Sequence, residues 1–165
     1  MKRSLELAEK LIHQSYLEKE EYMELLGSYQ DKETVVCLGQ EAARLREKYY
    51  GNKVYMRGLI EFTNFCKNNC YYCGIRRDNK NASRYRLTKE EILDCCKNGY
   101  ELGFRTFVLQ GGEGIVPIHE VCELVGEIKS RYPNCAVTLS LGEYSRADYQ
   151  DMFDAGADRY LLRHE

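Results

Sequence analysis

The spacing of apolar residues changes part-way along the chain. In the first part, apolar residues recur at helical spacing among many charged ones, as Leu5, Ala8 and Leu11 do. In the second part, short apolar runs bounded by glycine alternate with amphipathic helical patterns. We therefore predict an N-terminal helical segment over residues 1–52 and a domain of strand–helix units over residues 53–165.

Three helices are predicted in the N-terminal segment. Ser15 and Glu18 have the spacing of a capping box for the second helix, which Gly27 is expected to end. The third helix is predicted over residues 32–50, and Gly51 follows it. Its apolar residues are expected to face inward: Val35, Val36, Leu38, Ala42, Leu45 and Tyr49.

Strands and helices alternate from residue 54 onward. Strands are predicted over residues 54–63, 105–110, 136–141 and 159–163. Helices are predicted over residues 89–102, 117–131 and 145–155, with Thr88 and Glu91 as a capping box and Pro117 at a first helical position. Such units form parallel sheets with right-handed crossovers. The expected fold class is α/β, with about four βα units of a TIM (β/α) barrel preceded by N-terminal helices.

The predicted barrel is incomplete. A complete barrel of eight units needs roughly 200–250 residues, which residues 53–165 do not supply. The last predicted strand would also have no partner on its outer edge, a situation that natural domains avoid. We therefore expect the chain to be the N-terminal part of a longer protein, with a truncated barrel.

Composition and charge exclude several classes of partner. The 165-residue chain has a formal net charge of −2, which gives no indication of a nucleic-acid or membrane surface. Acidic residues begin at Glu6, and no apolar run approaches the length of a membrane-spanning helix. Eight cysteines in such a chain are typical of reduced thiols in the cytosol. A cytoplasmic protein is expected.

Cys66, Cys70 and Cys73 lie within eight residues, directly after the first predicted strand. Iron–sulfur clusters are held by cysteine thiolates, and a cubane cluster normally uses four. Three thiolates on one loop would hold three irons and leave the fourth open. Two alternatives remain: three unrelated buried cysteines, or a zinc site, although zinc loops more often pair cysteines as C-x2-C. The other five cysteines are expected to be small buried residues: Cys37, Cys95, Cys96, Cys122 and Cys135.

Further candidate residues follow the later predicted strands. They are Gly111, Gly112 and Glu113 after the second, Gly142 and Glu143 after the third, and Arg163, His164 and Glu165 after the fourth. Loops at the carboxyl ends of barrel strands gather on one face, where active sites lie. A glycine pair is also an ordinary turn, and an arginine–glutamate pair an ordinary surface ion pair. The basic run over residues 76–86 is either a solvated loop or a cover over the cysteines.

Several of these stretches resemble one known family. The cysteine loop within residues 57–79, together with residues 138–143 and 155–165, is similar to the radical S-adenosylmethionine (radical SAM) enzymes of the biotin-synthase-like branch. Within that branch, these stretches resemble the HydE family of FeFe-hydrogenase maturases. It extends from about Val54 to the last residue.

The resemblance implies a 4Fe–4S cluster held by Cys66, Cys70 and Cys73, and S-adenosylmethionine (SAM) bound at the open iron. The residues that it implies for cofactor binding are Tyr72, Gly111, Gly112, Glu113, Ser140, Glu143, Arg163 and Glu165. No protein side chain is assigned a catalytic role. Reduction of the cluster would cleave SAM to methionine and a 5′-deoxyadenosyl radical.

The resemblance also implies a biological role. The radical would be used in assembling the diiron site of the hydrogenase H-cluster, on a small organometallic or cysteine-derived substrate. Sister hydrogenase maturases are the implied partners. A methylornithine synthase-like or biotin synthase-like enzyme and an inactive metal-binding fragment remain as alternatives.

Overall fold

A computed structural model describes residues 2–163, and the chain divides into two compact units, Met1–Val54 and Tyr55–Glu165. The first unit contains three helices: α1 (Arg3–Gln14), α2 (Lys19–Gly27) and α3 (Lys32–Tyr50). The second contains, in chain order, β1 (Gly58–Thr63), α4 (Lys89–Glu101), β2 (Thr106–Gly111), α5 (Ile118–Arg131), β3 (Ala136–Ser140), α6 (Arg146–Asp154) and β4 (Arg159–Tyr160). No helix in the described residues is both long and apolar enough to cross a lipid bilayer.

The capping box of α2 lies three residues later than predicted. Glu18 is the N-cap, and its backbone N–H donates to Glu21 Oε2 at 3.0 Å. Ser15 instead ends α1, where its backbone has a φ of 57° in the left-handed region. An N-cap residue needs an extended backbone, so Ser15 could not begin α2. Around these ends, the first unit buries Leu7, Ala8, Leu17 and Leu25.

The prediction of which α3 residues face inward was mostly wrong. Leu38 is half-buried, but the others are exposed: Val35, Val36, Ala42, Leu45 and Tyr49. The buried residue of α3 is Thr34, whose hydroxyl donates to Ser4 Oγ on α1 at 3.0 Å. The face of α3 that packs on the core of this unit therefore consists of Thr34 with the half-buried Cys37 and Leu38.

The second unit is built on a four-stranded parallel sheet with strand order β1-β2-β3-β4. One row across the sheet pairs Ile60 with Leu109, Leu109 with Leu139, and Leu139 with Tyr160. This face packs against α4, α5 and α6 in one apolar core that includes Ile92, Val125 and Met152 among its helical members. The α/β fold class and the parallel strand–helix units predicted from the sequence are confirmed.

The first and last strands are shorter than predicted. β1 begins at Gly58, which pairs with Phe107 near the start of β2, and the preceding residues 54–56 are exposed. β4 has only two residues, paired with Thr138 and Leu139. A strand extends only as far as a neighbour offers backbone partners, which the apolar pattern does not reveal. Pro117 is the N-cap of α5 and lies one position before the first helical residue.

The cysteines outside the triplet have different environments. Cys96 and Cys135 are buried as predicted, whereas Cys37 and Cys122 are half-buried. Cys95 is exposed, so its predicted burial is wrong. Successive helical residues point about 100° apart, and α4 turns only Cys96 toward the core.

Candidate functional site

The loops that follow the four strands surround one cavity of about 760 Å³. All the described residues that were predicted as site residues line it: Cys66, Cys70, Tyr72, Cys73, Gly111, Gly112, Glu113, Ser140, Glu143 and Arg163. Glu165 and His164 lie outside the described residues. The cavity is within the size range of small-molecule and cofactor sites. All four strands run in the same direction, so the loops that follow them lie on one side of the sheet, and the cavity is at the carboxyl ends of the strands.

The three cysteines of the loop after β1 are half-buried free thiols. Cys66 Sγ accepts hydrogen bonds from the backbone N–H groups of Asn68 and Glu113, each at 3.4 Å. Amide donors stabilise a thiolate and tune the reduction potential of a cluster bound to it. Two backbone amides from different loops therefore converge on this sulfur.

The donor set of the cysteine loop is three thiols, the ligand type of iron–sulfur clusters. Within residues 2–163, no three His, Cys, Asp or Glu side chains are grouped so that they could hold one metal ion. Tetrahedral zinc requires its ligands to converge on one point. Each thiolate of a four-iron cluster binds a different iron, so three cysteines spread along one loop fit such a cluster.

Gly112 allows the loop after β2 to lie directly against the cysteine loop. A Cβ atom at Gly112 would lie 1.9 Å from Phe65 O and 2.7 Å from Cys66 Cβ. The backbone N–H of Lys67 donates to Glu113 O at 2.9 Å, which joins the two loops. Gly112 does not have a positive φ, so close approach, more than turn formation, requires a glycine here.

Gly142 makes room for the side chain of Glu113. Its φ is 92°, and a Cβ atom there would lie 2.2 Å from Glu113 Cγ. The phenol of Tyr160 donates to Gly142 O at 2.7 Å and so holds the loop after β3. Burial raises the pKa of Tyr160, which keeps this phenol protonated as a donor. The Glu113 carboxylate is thus held between the loops after β1 and β3.

Lys67 is a site residue that sequence reasoning missed. Its Nζ lies 3.0 Å from Glu113 Oε1, and the side chain lines the cavity. The hydrogen bond with Glu113 and the charge of that carboxylate raise the pKa of Lys67. The only signal in the sequence was its position beside Cys66. The contact demonstrates that the Glu113 carboxylate can accept an ammonium group in this cavity.

The sheet face opposite the helices carries polar side chains, of which Ser140 was predicted as a site residue and Glu61, Gln110 and Thr138 were missed. Gln110 Nε2 donates to Glu61 Oε1 at 2.7 Å, between β1 and β2. Thr138 and Ser140 lie on the same face of β3, and both are buried. The Thr138 hydroxyl has no hydrogen-bond partner in the described residues. Alternation along each strand places these residues together, but the sequence did not indicate which face would be polar.

The family model of the radical SAM superfamily matches residues 60–164. The chain belongs to the radical SAM superfamily. It is 50% identical over 125 residues to the [FeFe] hydrogenase maturase subunit HydE of Thermotoga maritima, an alignment covering 75% of this chain and 35% of that protein. The relation to HydE inferred from the sequence motifs is thereby confirmed.

Solved radical SAM structures share the fold. The maturase HydG superposes with a TM-score of 0.80 at 24% identity, over 97% of this chain and 36% of that chain. Methylornithine synthase (PylB) superposes with a TM-score of 0.70 at 30% identity, over 94% of this chain and 46% of that chain. This radical SAM chain therefore spans between a third and a half of the length of these relatives.

Proposed function

We propose that this chain is the N-terminal part of a radical SAM enzyme in which Cys66, Cys70 and Cys73 hold a 4Fe–4S cluster. The observation that carries the proposal is that the three thiols and the later strand-end loops line one cavity. When bound, such a cluster supplies the electron for reductive cleavage of SAM to methionine and a 5′-deoxyadenosyl radical. The protein supplies orientation and exclusion of water.

Glu113 is proposed to bind the ammonium group of SAM. The position of Lys67 Nζ, 3.0 Å from Glu113 Oε1, supports this role, because it is another ammonium group at the same carboxylate. Arg163 is proposed to bind a carboxylate, since a guanidinium can donate two parallel hydrogen bonds to it. Exposed Tyr72 would stack on the adenine, and Ser140 with Glu143 would contact the remaining polar groups of SAM.

Contacts between neighbouring loops position both Cys66 and the Glu113 side chain. The amides of Asn68 and Glu113 orient Cys66 Sγ. Gly112 and Gly142 allow the Glu113 side chain to enter the cavity between two loops. The residues of this chain would thus bind and orient the cofactor, while none of them needs to act as an acid or base.

A role in assembling the diiron site of the FeFe-hydrogenase H-cluster is the function that we favour. Its support is the 50% identity to HydE over 125 residues. The substrate would be a small organometallic or cysteine-derived molecule, and sister hydrogenase maturases would be the partners. A cytoplasmic location remains a prediction. The 30% identity to methylornithine synthase over 94% of the chain makes a methylornithine synthase-like enzyme the second candidate.

The cluster can be tested by anaerobic reconstitution of the chain with iron and sulfide. We expect iron and sulfide to bind with an electron paramagnetic resonance (EPR) signal after dithionite reduction, and Cys70→Ala to lose that signal. Cys95→Ala is the matched control, since Cys95 is an exposed cysteine outside the cavity. If metal analysis of the purified chain finds zinc, and the reconstituted chain shows no sulfur-to-iron absorption band, the alternative of a metal-binding fragment is supported and the proposal is contradicted.

The substrate requires a separate test with the longer protein. A HydE-like enzyme should support hydrogenase activation when combined with its sister maturases, and it should not form methylornithine. The opposite result would favour the second candidate.

A further inference from the structure

The segment after the cysteine loop returns to the end of β1. The backbone N–H of Leu87 donates to Phe62 O at 2.7 Å, and Asn64 N–H donates to Tyr85 O at 3.3 Å. Thr63 and Arg86 form an antiparallel bridge. Both ends of the cysteine loop are therefore held together, and Arg84 lies at this junction.

The Arg84 guanidinium donates to carbonyl oxygens from both sides of the cysteine loop. Its acceptors are Asn64 O, Ile75 O at 2.9 Å, Arg76 O at 2.6 Å, Asn79 O at 3.3 Å and Arg77 O at 3.5 Å. The side chain is half-buried. Within residues 2–163 it forms no ion pair with a carboxylate. Backbone carbonyl oxygens accept the hydrogen bonds of its guanidinium instead.

Only arginine can supply this arrangement. A guanidinium presents five N–H donors in one rigid plane, whereas the lysine ammonium is a compact group with three donors. Asn64 precedes Cys66 by two residues, and Ile75 follows Cys73 by two residues. One side chain thus joins the chain just before the first cysteine to the chain just after the third.

Backbone hydrogen bonds transmit this restraint to the cysteines. Arg77 N–H donates to Asn68 O at 2.8 Å, and Asn68 N–H in turn donates to Cys66 Sγ. Arg76 N–H donates to Cys73 O at 3.2 Å. Because Arg84 holds the carbonyl groups of residues 75 and 76, it restrains the two peptides whose N–H groups donate toward Cys73 and Asn68.

We propose that Arg84 is a positioning residue that closes the cysteine loop and holds the three thiols in their binding arrangement before the cluster arrives. The proposal rests on the cluster-binding function proposed above. It concerns the chain without iron as well as the loaded chain. The two ideas can therefore be tested separately.

The first test is hydrogen–deuterium exchange of the iron-free chain. In Arg84→Gln, exchange across residues 64–79 should accelerate at least about tenfold, the order expected when hydrogen bonds from a charged group are lost. Arg84→Lys should accelerate it by a smaller factor, of about threefold or more relative to Arg86→Lys. Arg86→Gln and Arg86→Lys are matched controls, because the Arg86 side chain binds Glu120 at 2.6 Å and not the loop.

The second test uses the iron-loaded chain. In Arg84→Lys, the midpoint potential of the cluster should shift to a more negative value, because the Asn68 amide is held less firmly against Cys66 Sγ. Iron release to a chelator should also be faster. Arg86→Lys should leave both unchanged. A general loss of stability would not change the potential of a folded, loaded variant, so this measurement separates positioning from stability.

The proposal is overturned if exchange across residues 64–79 in Arg84→Lys stays within about twofold of the Arg86→Lys control. If Arg84→Gln does not fold by circular dichroism, Arg84→Lys decides the question, because it keeps the charge and the aliphatic stem. If the wild-type chain binds no iron, the cluster-binding function fails, while exchange in the iron-free chain still determines whether Arg84 holds the loop.

Discussion

Single residues set the distances between the loops of the site. Gly112 and Gly142 are needed because side chains there would collide with Phe65 O and with Glu113. Lys67 forms an ion pair with Glu113, and Arg84 donates hydrogen bonds to backbone carbonyl groups of the cysteine loop. These contacts are made between residues distant in sequence, and each can be tested by one substitution.

Gly112→Ala should disrupt the contact between the cysteine loop and the loop after β2. The added Cβ meets Phe65 O at 1.9 Å, so the loops must separate, at a cost of roughly 1–3 kcal/mol in the free energy of unfolding. Urea unfolding and iron content after reconstitution measure this. Gly74→Ala is the control, since a Cβ there meets nothing within 4 Å. Equal stability of the two variants would contradict the prediction.

Cys95 and Cys96 should differ in reactivity although they are neighbours. Cys95 is exposed, while burial raises the pKa of Cys96 to about 12. Thiolates, and not thiols, react with alkylating agents. In the folded chain at neutral pH, iodoacetamide should modify Cys95 and leave Cys96 unmodified, as measured by peptide mass spectrometry. Modification of both at the same rate would show that α4 is oriented differently.

Cys96 should also contribute to alkaline unfolding. Its pKa is raised in the folded chain from a usual value of 9.0 to about 12, so folding favours the neutral thiol. The resulting stabilisation is complete below about pH 9 and is lost as the pH rises toward about 12. Cys96→Val should therefore show a shallower decline of unfolding free energy over this range, and Cys95→Val should behave as the wild type does.

At the scale of elements, the capping boxes of α4 and α6 lie where the sequence predicts helix starts, whereas that of α2 lies three residues later than predicted. Thr88 and Glu91 form the predicted capping box of α4, with Glu91 N–H donating to Thr88 Oγ1 at 3.2 Å. Ser145 caps α6 in the same way. Strand ends and helix faces were predicted less well, because a neighbouring element decides them, as the shortened β1 and the rotated face of α3 illustrate.

Thr88→Ala should destabilise α4 by about 1 kcal/mol, the usual contribution of an N-cap side chain. The expected change is a lower urea midpoint with an unchanged dependence on urea concentration. Ser130→Ala provides the control, because Ser130 is exposed within α5 and alanine is a strong helix former. A loss as large in Ser130→Ala would contradict the capping interpretation.

At the scale of the whole molecule, the sheet brings the strand-end loops together but leaves an open side. In the described residues, β4 pairs only with β3, and the residues that follow it, Leu161 and Leu162, line the cavity and are about half exposed. A complete site must exclude water to favour radical chemistry over side reactions. The described residues therefore include every proposed cluster ligand, but they leave one side of the cavity open to water, which radical chemistry does not tolerate.

We expect the 165-residue chain to bind the cluster but to cleave SAM slowly. Its rate of 5′-deoxyadenosine formation should be at least about tenfold below that of a longer protein in which the open side of the sheet is covered, because an open cavity orients bound molecules poorly and admits water. Chromatography of anaerobic reactions with dithionite measures this rate. Equal rates for the two proteins would show that residues 2–163 already form a closed site.

The sequence alone determined the superfamily and the order of the elements. Three cysteines on one loop, glycine after two strands and local capping pairs all act over a few residues, so they can be read from spacing. The fold class, the relation to HydE and the position of the candidate residues after strands followed from these local patterns.

Only the tertiary structure decided which distant side chains meet. Lys67 beside Glu113, Glu61 beside Gln110, and Arg84 among the carbonyl oxygens of the cysteine loop depend on the register of the parallel strands and on the return of the segment after the loop. Contacts of this kind have no fixed sequence separation. Their existence depends on packing, which hydrophobic periodicity constrains only to the level of faces and layers.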